Sequence, residues 1–221
     1  MTRLWNPARG RLVAAAALNA PTEAPYIRGM TTSPPGLDSV IAAAQSAGGR
    51  TAKGPPPVHL WNPEHCGEID IVIRKDGLWF HEGSPIGREA LVRLFSTVLR
   101  KDPDGFHLVT PVEKMRITVE DAPFLAVRVD RDGADLRFLT NVGDEVAAGP
   151  DNPIRVEVDP ATGEPRPYVH VRRGLEARIA RPVFYELVEM AREQATAEGP
   201  VLAVESGGAV FHLGPVGAHL A

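Results

Sequence analysis

Short turns between apolar runs constrain this chain more than any other feature. Lys75-Asp76-Gly77, Arg131-Asp132-Gly133 and Ser206-Gly207-Gly208 each separate two such runs. A connection this short can only return the chain antiparallel, since a parallel return needs a crossover of a dozen or more residues. Residues 69–73 and 78–81 therefore read as one hairpin, and 201–204 with 210–213 as another. Residues 124–130 and 135–140 alternate apolar and polar in period two, the pattern of a half-buried strand pair. Residues 106–110 and 114–120 read as strands after the turn Asp102-Pro103-Asp104-Gly105. Residues 154–158 and 168–172 form a further pair across a loop containing Thr162-Gly163.

Helical periodicity is confined to three places. A weakly amphipathic segment spans 37–47, a stronger one 85–100, and a third runs from Pro182 to about Gln194. Many strands joined by hairpins, with two main helices set apart, predict a largely antiparallel α+β fold. A repeat is also present. Trp79-Phe80-His81 precedes Phe95 as Tyr168-Val169-His170 precedes Phe184, with the aromatics sixteen positions apart in both copies. At the same offset Ile86, Ala90, Leu94 and Val98 match Leu175, Ile179, Val183 and Leu187, so duplication of a hairpin-plus-helix unit is expected.

The start of the second helix breaks ordinary helix chemistry. Ser84 suits an N-cap and Pro85 the first helical position. Gly87 in the first turn costs about 1 kcal/mol relative to Ala, and Arg88 puts a cation at the positive end of the helix dipole. Their repeat counterparts are Glu176 and Ala177, so the odd pair belongs to one copy only. A helical wheel places both on the apolar face. A buried Arg88 needs an anion: a carboxylate from Glu68, Asp70, Glu113 or Asp121, or a bound phosphate. Ser84 and the first-turn amides could hold such a phosphate with Arg88, Gly87 giving clearance and Lys114 a second charge.

Other clusters carry less. His65-Cys66-Gly67-Glu68 has metal-ligating residue types without a second His/Cys pair, so Gly67 in a turn and a small buried Cys66 are expected, and no metal. Thr110-Pro111 and Asn141-Val142-Gly143-Asp144 read as turn chemistry at strand ends. No GxGxxG, HExxH or nucleophilic triad order is present, so no catalytic residue and no cofactor is assigned.

Composition excludes several classes. The net charge of −4 lacks the broad basic surface that sequence-independent nucleic-acid binding requires. No apolar run approaches the length of a spanning helix, so no membrane partner is expected. One cysteine in 221 residues rules out an internal disulfide and favours a reducing, cytoplasmic location. The charge is uneven, with +4 in residues 1–54 and −8 in the rest. The leader 1–57 reads as disordered apart from its weak helix. The run Leu12–Leu18 after basic residues faintly resembles a targeting segment, while Met30 offers an alternative start.

Several ordered blocks resemble the bacterial family called domain of unknown function 1285. They are His59-Leu60-Trp61-Asn62-Pro63, Cys66–Asp70, Gly83–Arg88, Leu91–Ser96, Val109–Lys114, Glu120–Phe124 and Thr140–Asp144. The resemblance spans about residues 58–213. It implies a duplicated two-part fold whose C-terminal part is similar to a pleckstrin-homology-like barrel. It further implies binding of a nucleotide-type ligand between the parts, in a signalling role. The residues implied at that interface are Arg88, Arg93, Glu113, Lys114 and Asn141. The expected organisation is a leader (1–57), an N-terminal α+β domain (58–111) and a β-rich C-terminal domain with a packed helix (112–221). The expected function is binding of a phosphate-bearing small molecule at the domain interface, with a protein partner downstream. Two alternatives stand beside it: a nucleotide-directed hydrolase or transferase using Glu68, Asp70 or Asp121 as base, and a scaffold in which Arg88 makes only an internal ion pair.

Overall fold

Hairpin turns build the molecule as a succession of three-stranded meanders. The computed structural model describes residues 36–47 and 54–217; most of the leader, with its targeting-like run, lies outside them. The first meander is β1 (His65–Ile73), β2 (Trp79–His81) and β3 (Ser84–Pro85), followed by helix α2 (Glu89–Thr97). The earlier helix α1 (Leu37–Ser46) buries Val40 and Ala44 and packs against α2. The second meander is β4 (Leu99–Asp102), β5 (Gly105–Val109) and β6 (Glu113–Val119). Together the two make one sheet in the order β3-β2-β1-β6-β5-β4, closed by the parallel pair β1–β6.

The next two meanders repeat that plan. They are β7 (Phe124–Asp132), β8 (Asp135–Thr140) and β9 (Glu145–Ala147), then β10 (Ile154–Val158), β11 (Pro165–Arg172) and β12 (Leu175–Ile179). Their sheet order is β10-β11-β12-β7-β8-β9, with β7 and β12 parallel. Each sheet thus joins the first strand of one meander to the last strand of the next, and the two topologies are identical. All other strand pairs among the described residues are antiparallel. Helix α3 (Arg181–Met190) follows β12, and a final meander, β13 (Arg192–Thr196), β14 (Gly199–Ser206) and β15 (Ala209–Pro215), forms its own sheet. The duplicated α+β architecture expected from the sequence is present. The frame of the duplication differs from the sequence offset: in the sheets β2 corresponds to β8, whereas the offset had matched Trp79–His81 to residues on β11.

Four boundaries differ from expectation, each for a local reason. Helix α2 begins at Glu89, not Pro85, because Glu82 and Gly83 turn with φ of 47° and 74° and send Ser84–Pro85 back against Phe80 and His81 as β3. It ends at Thr97, and Leu99–Asp102 pairs with β5 around the Pro103-Asp104 turn. Leu175–Ile179, matched by the repeat to the start of the second helix, is a strand alternating buried and half-buried. Arg192–Thr196, expected to extend the third helix, pairs with β14. The first sheet also continues through Glu113–Val119, so the change of sheet falls after Val119 rather than at 111.

One apolar cluster runs through the whole. In the first part Trp79 stacks on Phe95 with centroids 6.3 Å apart, an arrangement that supplements simple area burial. In the second part α3 buries Val183, Phe184 and Leu187 and packs against β7 and β14. Among the described residues no helix is long and apolar enough to cross a membrane.

Candidate functional site

The residues at the start of α2 lie in the open. Arg88 is the N-cap of α2, with an extended backbone (φ −87°, ψ 97°), and it is exposed, as are Ser84 and Gly87. The expected burial of Arg88 came from projecting a helical wheel onto residues that are not helical. Exposed, the guanidinium requires no buried anion, and it forms no ion pair among the described residues. Arg93 lies on the exposed face of α2, 3.3 Å from Glu89 one turn earlier.

Glu113 and Lys114 are neighbours on β6 and so face opposite ways. Glu113 is buried beside Met115 and Ile117, with one carboxylate oxygen accepting no hydrogen bond among the described residues. Lys114 Nζ sits 2.7 Å from Asp102 and 3.8 Å from Asp104. Arg100 also reaches Asp102, at 2.8 Å, and donates to the carbonyl of Trp61. Asp102, Asp104 and His107 hold their ligand atoms within 4.8 Å of one another, the spacing of a metal site. The Lys114 ammonium already faces the two carboxylates of that trio. Cys66 is exposed, and Gly67 lies within β1 rather than in a turn; a Cβ there would meet Met115 Cε at 3.1 Å.

This cluster predicts acid sensitivity. Burial, and then the Lys114 charge, push the His107 imidazole below its ordinary value. Burial alone would push the Asp102 carboxyl up, but hydrogen bonds and charge from Arg100 and Lys114 outweigh it and hold it low. A neutral His107 in the fold means that unfolding takes up a proton below about pH 6.5. A charged Asp102 in the fold adds a second uptake as the pH falls through the carboxylate range. Both act in one direction. Stability should decline as the pH drops below about 6.5, by at most about 1.4 kcal/mol per pH unit for the histidine. Urea midpoints at successive pH values measure this, and His107→Leu should flatten the first step.

Asn141 joins the two sheets. Its side-chain amide donates to the Gly77 carbonyl at 3.1 Å, and its oxygen accepts the Leu125 amide at 3.0 Å. The turn at Lys75-Asp76-Gly77 is thereby fixed against β7. Arg172 makes a second link, from the end of β11 to the Ser96 carbonyl of α2 at 2.7 Å and to the Asp144 carboxylate. Asp121 anchors the second sheet. It accepts from the Tyr168 hydroxyl at 2.7 Å and Arg178 at 3.1 Å, and burial together with that bond pushes the phenol up to about 12.

Beside the fixed turn lies a cleft of about 290 Å³. Its floor is Leu125, Ile179, Phe184, Pro165 and Pro167. Its rim carries Lys75, Arg178 and Arg181 against Asp76 and Glu164, with Tyr185 alongside. Arg181 pairs with Glu164 at 3.1 Å and Arg178 with Asp121, whereas the Lys75 ammonium has no ion partner among the described residues. Helix α3 starts in this wall with no side-chain cap, its first-turn amides being those of Arg181 and Val183, since Pro182 has none. The cleft therefore combines an apolar floor with a rim of mixed charge, one cation in excess, and the positive end of a helix dipole.

None of Ser84, Gly87, Arg88, Arg93, Glu113, Lys114 or Asn141 lines this cleft. Asn141 alone reaches it, from behind, by holding Gly77 and Leu125. Lys75, Arg178, Arg181 and Tyr185 were not singled out in the sequence. The only local signal was Pro182, which marks the start of α3.

Residues 56–122 match the family described as "Domain of unknown function (DUF1285), N-terminal domain", and residues 123–213 match "Protein of unknown function (DUF1285), C-terminal domain". A solved DUF1285 family protein from Silicibacter pomeroyi DSS-3 is 49% identical, with a TM-score of 0.71, covering 80% of this chain and 95% of its own. A second, from Shewanella baltica OS155, is 27% identical, with a TM-score of 0.44, covering 54% of this chain and 90% of its own. A search of the curated proteins finds no match.

Proposed function

The chain belongs to the DUF1285 family, and from that premise we propose that it binds a phosphate-bearing, nucleotide-like small molecule in a regulatory or signalling role. The site of binding is the cleft between the Lys75-Asp76 turn and the first turn of α3. The observation that carries this reading is the cleft itself, where an apolar floor meets three basic side chains and an uncapped helix start. A planar or apolar group would lie on Leu125, Ile179 and Phe184. A phosphate would take the Lys75 ammonium and the amides of Arg181 and Val183, with the Arg181 guanidinium shared between Glu164 and the ligand. Asn141 positions the wall that bears Lys75.

The enzymatic alternative relied on a free carboxylate base. Asp121 is engaged by Tyr168 and Arg178, which favours an anchoring role for it.

Thermal denaturation in the presence of AMP or ADP tests the reading. A ligand at a hundredfold excess over its Kd stabilises by about 2.7 kcal/mol, a rise of about 5–10 °C for a domain of this size. The double variant Lys75→Ala/Arg181→Ala should lose most of that rise, while Arg88→Ala keeps it. An equal rise in the wild type and the double variant would contradict the proposal, as would no rise with either nucleotide.

A further inference from the structure

Resting on the reading that the cleft takes a phosphate, we propose that the phosphate-bearing ligand also carries an aliphatic chain, which continues into a second, apolar cleft alongside. That second cleft has a volume of about 310 Å³ and lies between α3, β10 and the β14–β15 hairpin. Its apolar lining includes Val156, Val158, Phe184, Val188, Leu202 and Leu213. The two clefts share Pro165 and Phe184. Phe184 is buried and borders both, so a chain that passes from one cleft to the other runs past Phe184 and Pro165.

Helix α3 supplies the track. Arg181, Phe184 and Val188 are spaced i, i+3 and i+7, which places them along one face over about 10 Å of helix axis. Arg181 is at the charged rim, Phe184 at the shared wall and Val188 in the apolar cleft. The charge therefore changes along the track from basic to uncharged, matching a molecule with an anionic head and an alkyl tail. Each cleft is near the lower limit of ligand-pocket volumes, and the two joined fall well inside the range. The occupant is a single dissolved amphiphile rather than a bilayer, because Phe184 and Leu213, deep in the apolar cleft, are each only 3% exposed. Such residues can receive a chain that enters but do not stand out to insert into a membrane.

A series of n-alkyl phosphates, ethyl through decyl, titrated into the full chain by calorimetry below their micelle concentrations, tests the proposal. Affinity should strengthen by up to about fourfold per added methylene until the second cleft is filled, and then level off. Val158→Asp, at a position exposed enough to leave the core intact, should abolish the dependence on chain length. Leu202→Phe, which fills the cleft without adding charge, should make the plateau arrive at a shorter chain. Lys75→Ala/Arg181→Ala should weaken every member of the series.

Affinity that does not change with chain length, but is lost in Lys75→Ala/Arg181→Ala, would overturn the amphiphile and leave the phosphate reading standing. Affinities that Lys75→Ala/Arg181→Ala leaves unchanged across the whole series, or no binding by any member, would overturn both. Recruitment of the protein to phosphatidic acid vesicles, lost in Val158→Asp, would overturn the dissolved amphiphile in favour of a membrane surface.

Discussion

Arg172→Ala should lower the unfolding free energy by about 3–5 kcal/mol, the cost of removing one partner from a buried charge pair. The Arg172 and Asp144 side chains are only 15% and 9% exposed. The guanidinium faces Asp144 with one nitrogen and donates to the Ser96 carbonyl with another, while its central carbon lies 4.9 Å from the centre of the Phe124 ring. Ser96 belongs to the last turn of α2, whose carbonyls have no helical amide left to accept from. Arg172 therefore serves as the cationic cap of α2, supplied by a strand of the other sheet. Its removal loosens a helix terminus and the contact between the sheets together. Arg172→Lys should recover only part of the loss, since one ammonium cannot reproduce the planar fork. Urea denaturation measures both. A loss below about 1 kcal/mol for Arg172→Ala would put the pair in the class of surface ion pairs and refute its role as a tie.

Gly207→Ala should cost about 3 kcal/mol. Gly207 has a φ of 59°, where a side chain costs roughly 1–2 kcal/mol. An added Cβ would also stand 2.8 Å from the Ala148 carbonyl oxygen and 2.9 Å from Gly149 Cα. Both obstacles are backbone, so the hairpin tip must withdraw, at an overpacking cost of about 1–3 kcal/mol. That tip holds the last meander on the second sheet. Buried Ser206 accepts the Leu136 amide at 2.8 Å and donates to the Ala148 carbonyl at 2.7 Å, and the Gly207 amide donates to Asp135 at 3.1 Å. Gly208 supplies the control. Its φ is 74°, but nothing lies within 4 Å of its added Cβ. Gly208→Ala should cost only the conformational share, and equal losses for the two variants would contradict the close approach.

The hairpins were legible because turn chemistry and period-two alternation are local. Asp132-Gly133 and Gly207-Gly208 mark their turns with left-handed glycines; β8 alternates as expected, while a bulge between Ala126 and Arg128 shifts the phase of β7. The parallel pairs β1–β6 and β7–β12 were not, since nothing near His65 or Glu113 specifies a partner some fifty positions away. At Ser84–Pro85 two readings competed: an N-cap with a first-turn proline, and a strand after a tight turn. Pairing with Phe80 and His81 decided it, and the misplaced helix start carried Arg88 onto the wrong face. β12 was readable, since Leu175-Glu176-Ala177-Arg178-Ile179 alternates plainly, but matching it to the α2 region hid the alternation. Of the candidate site, Asn141 was named only by the family resemblance, its strand-end block having read as turn chemistry. Lys75, Arg178 and Arg181 belong to three elements and make no motif, so their convergence is a property of the fold alone.

Amide hydrogen exchange with and without a bound phosphate monoester tests the central claim most directly, because it reports position as well as binding. The cleft predicts slowed exchange at Arg181, Val183 and the Lys75–Gly77 turn, with residues 84–88 unchanged. Protection concentrated on residues 84–88, with none in the first turn of α3, would contradict it.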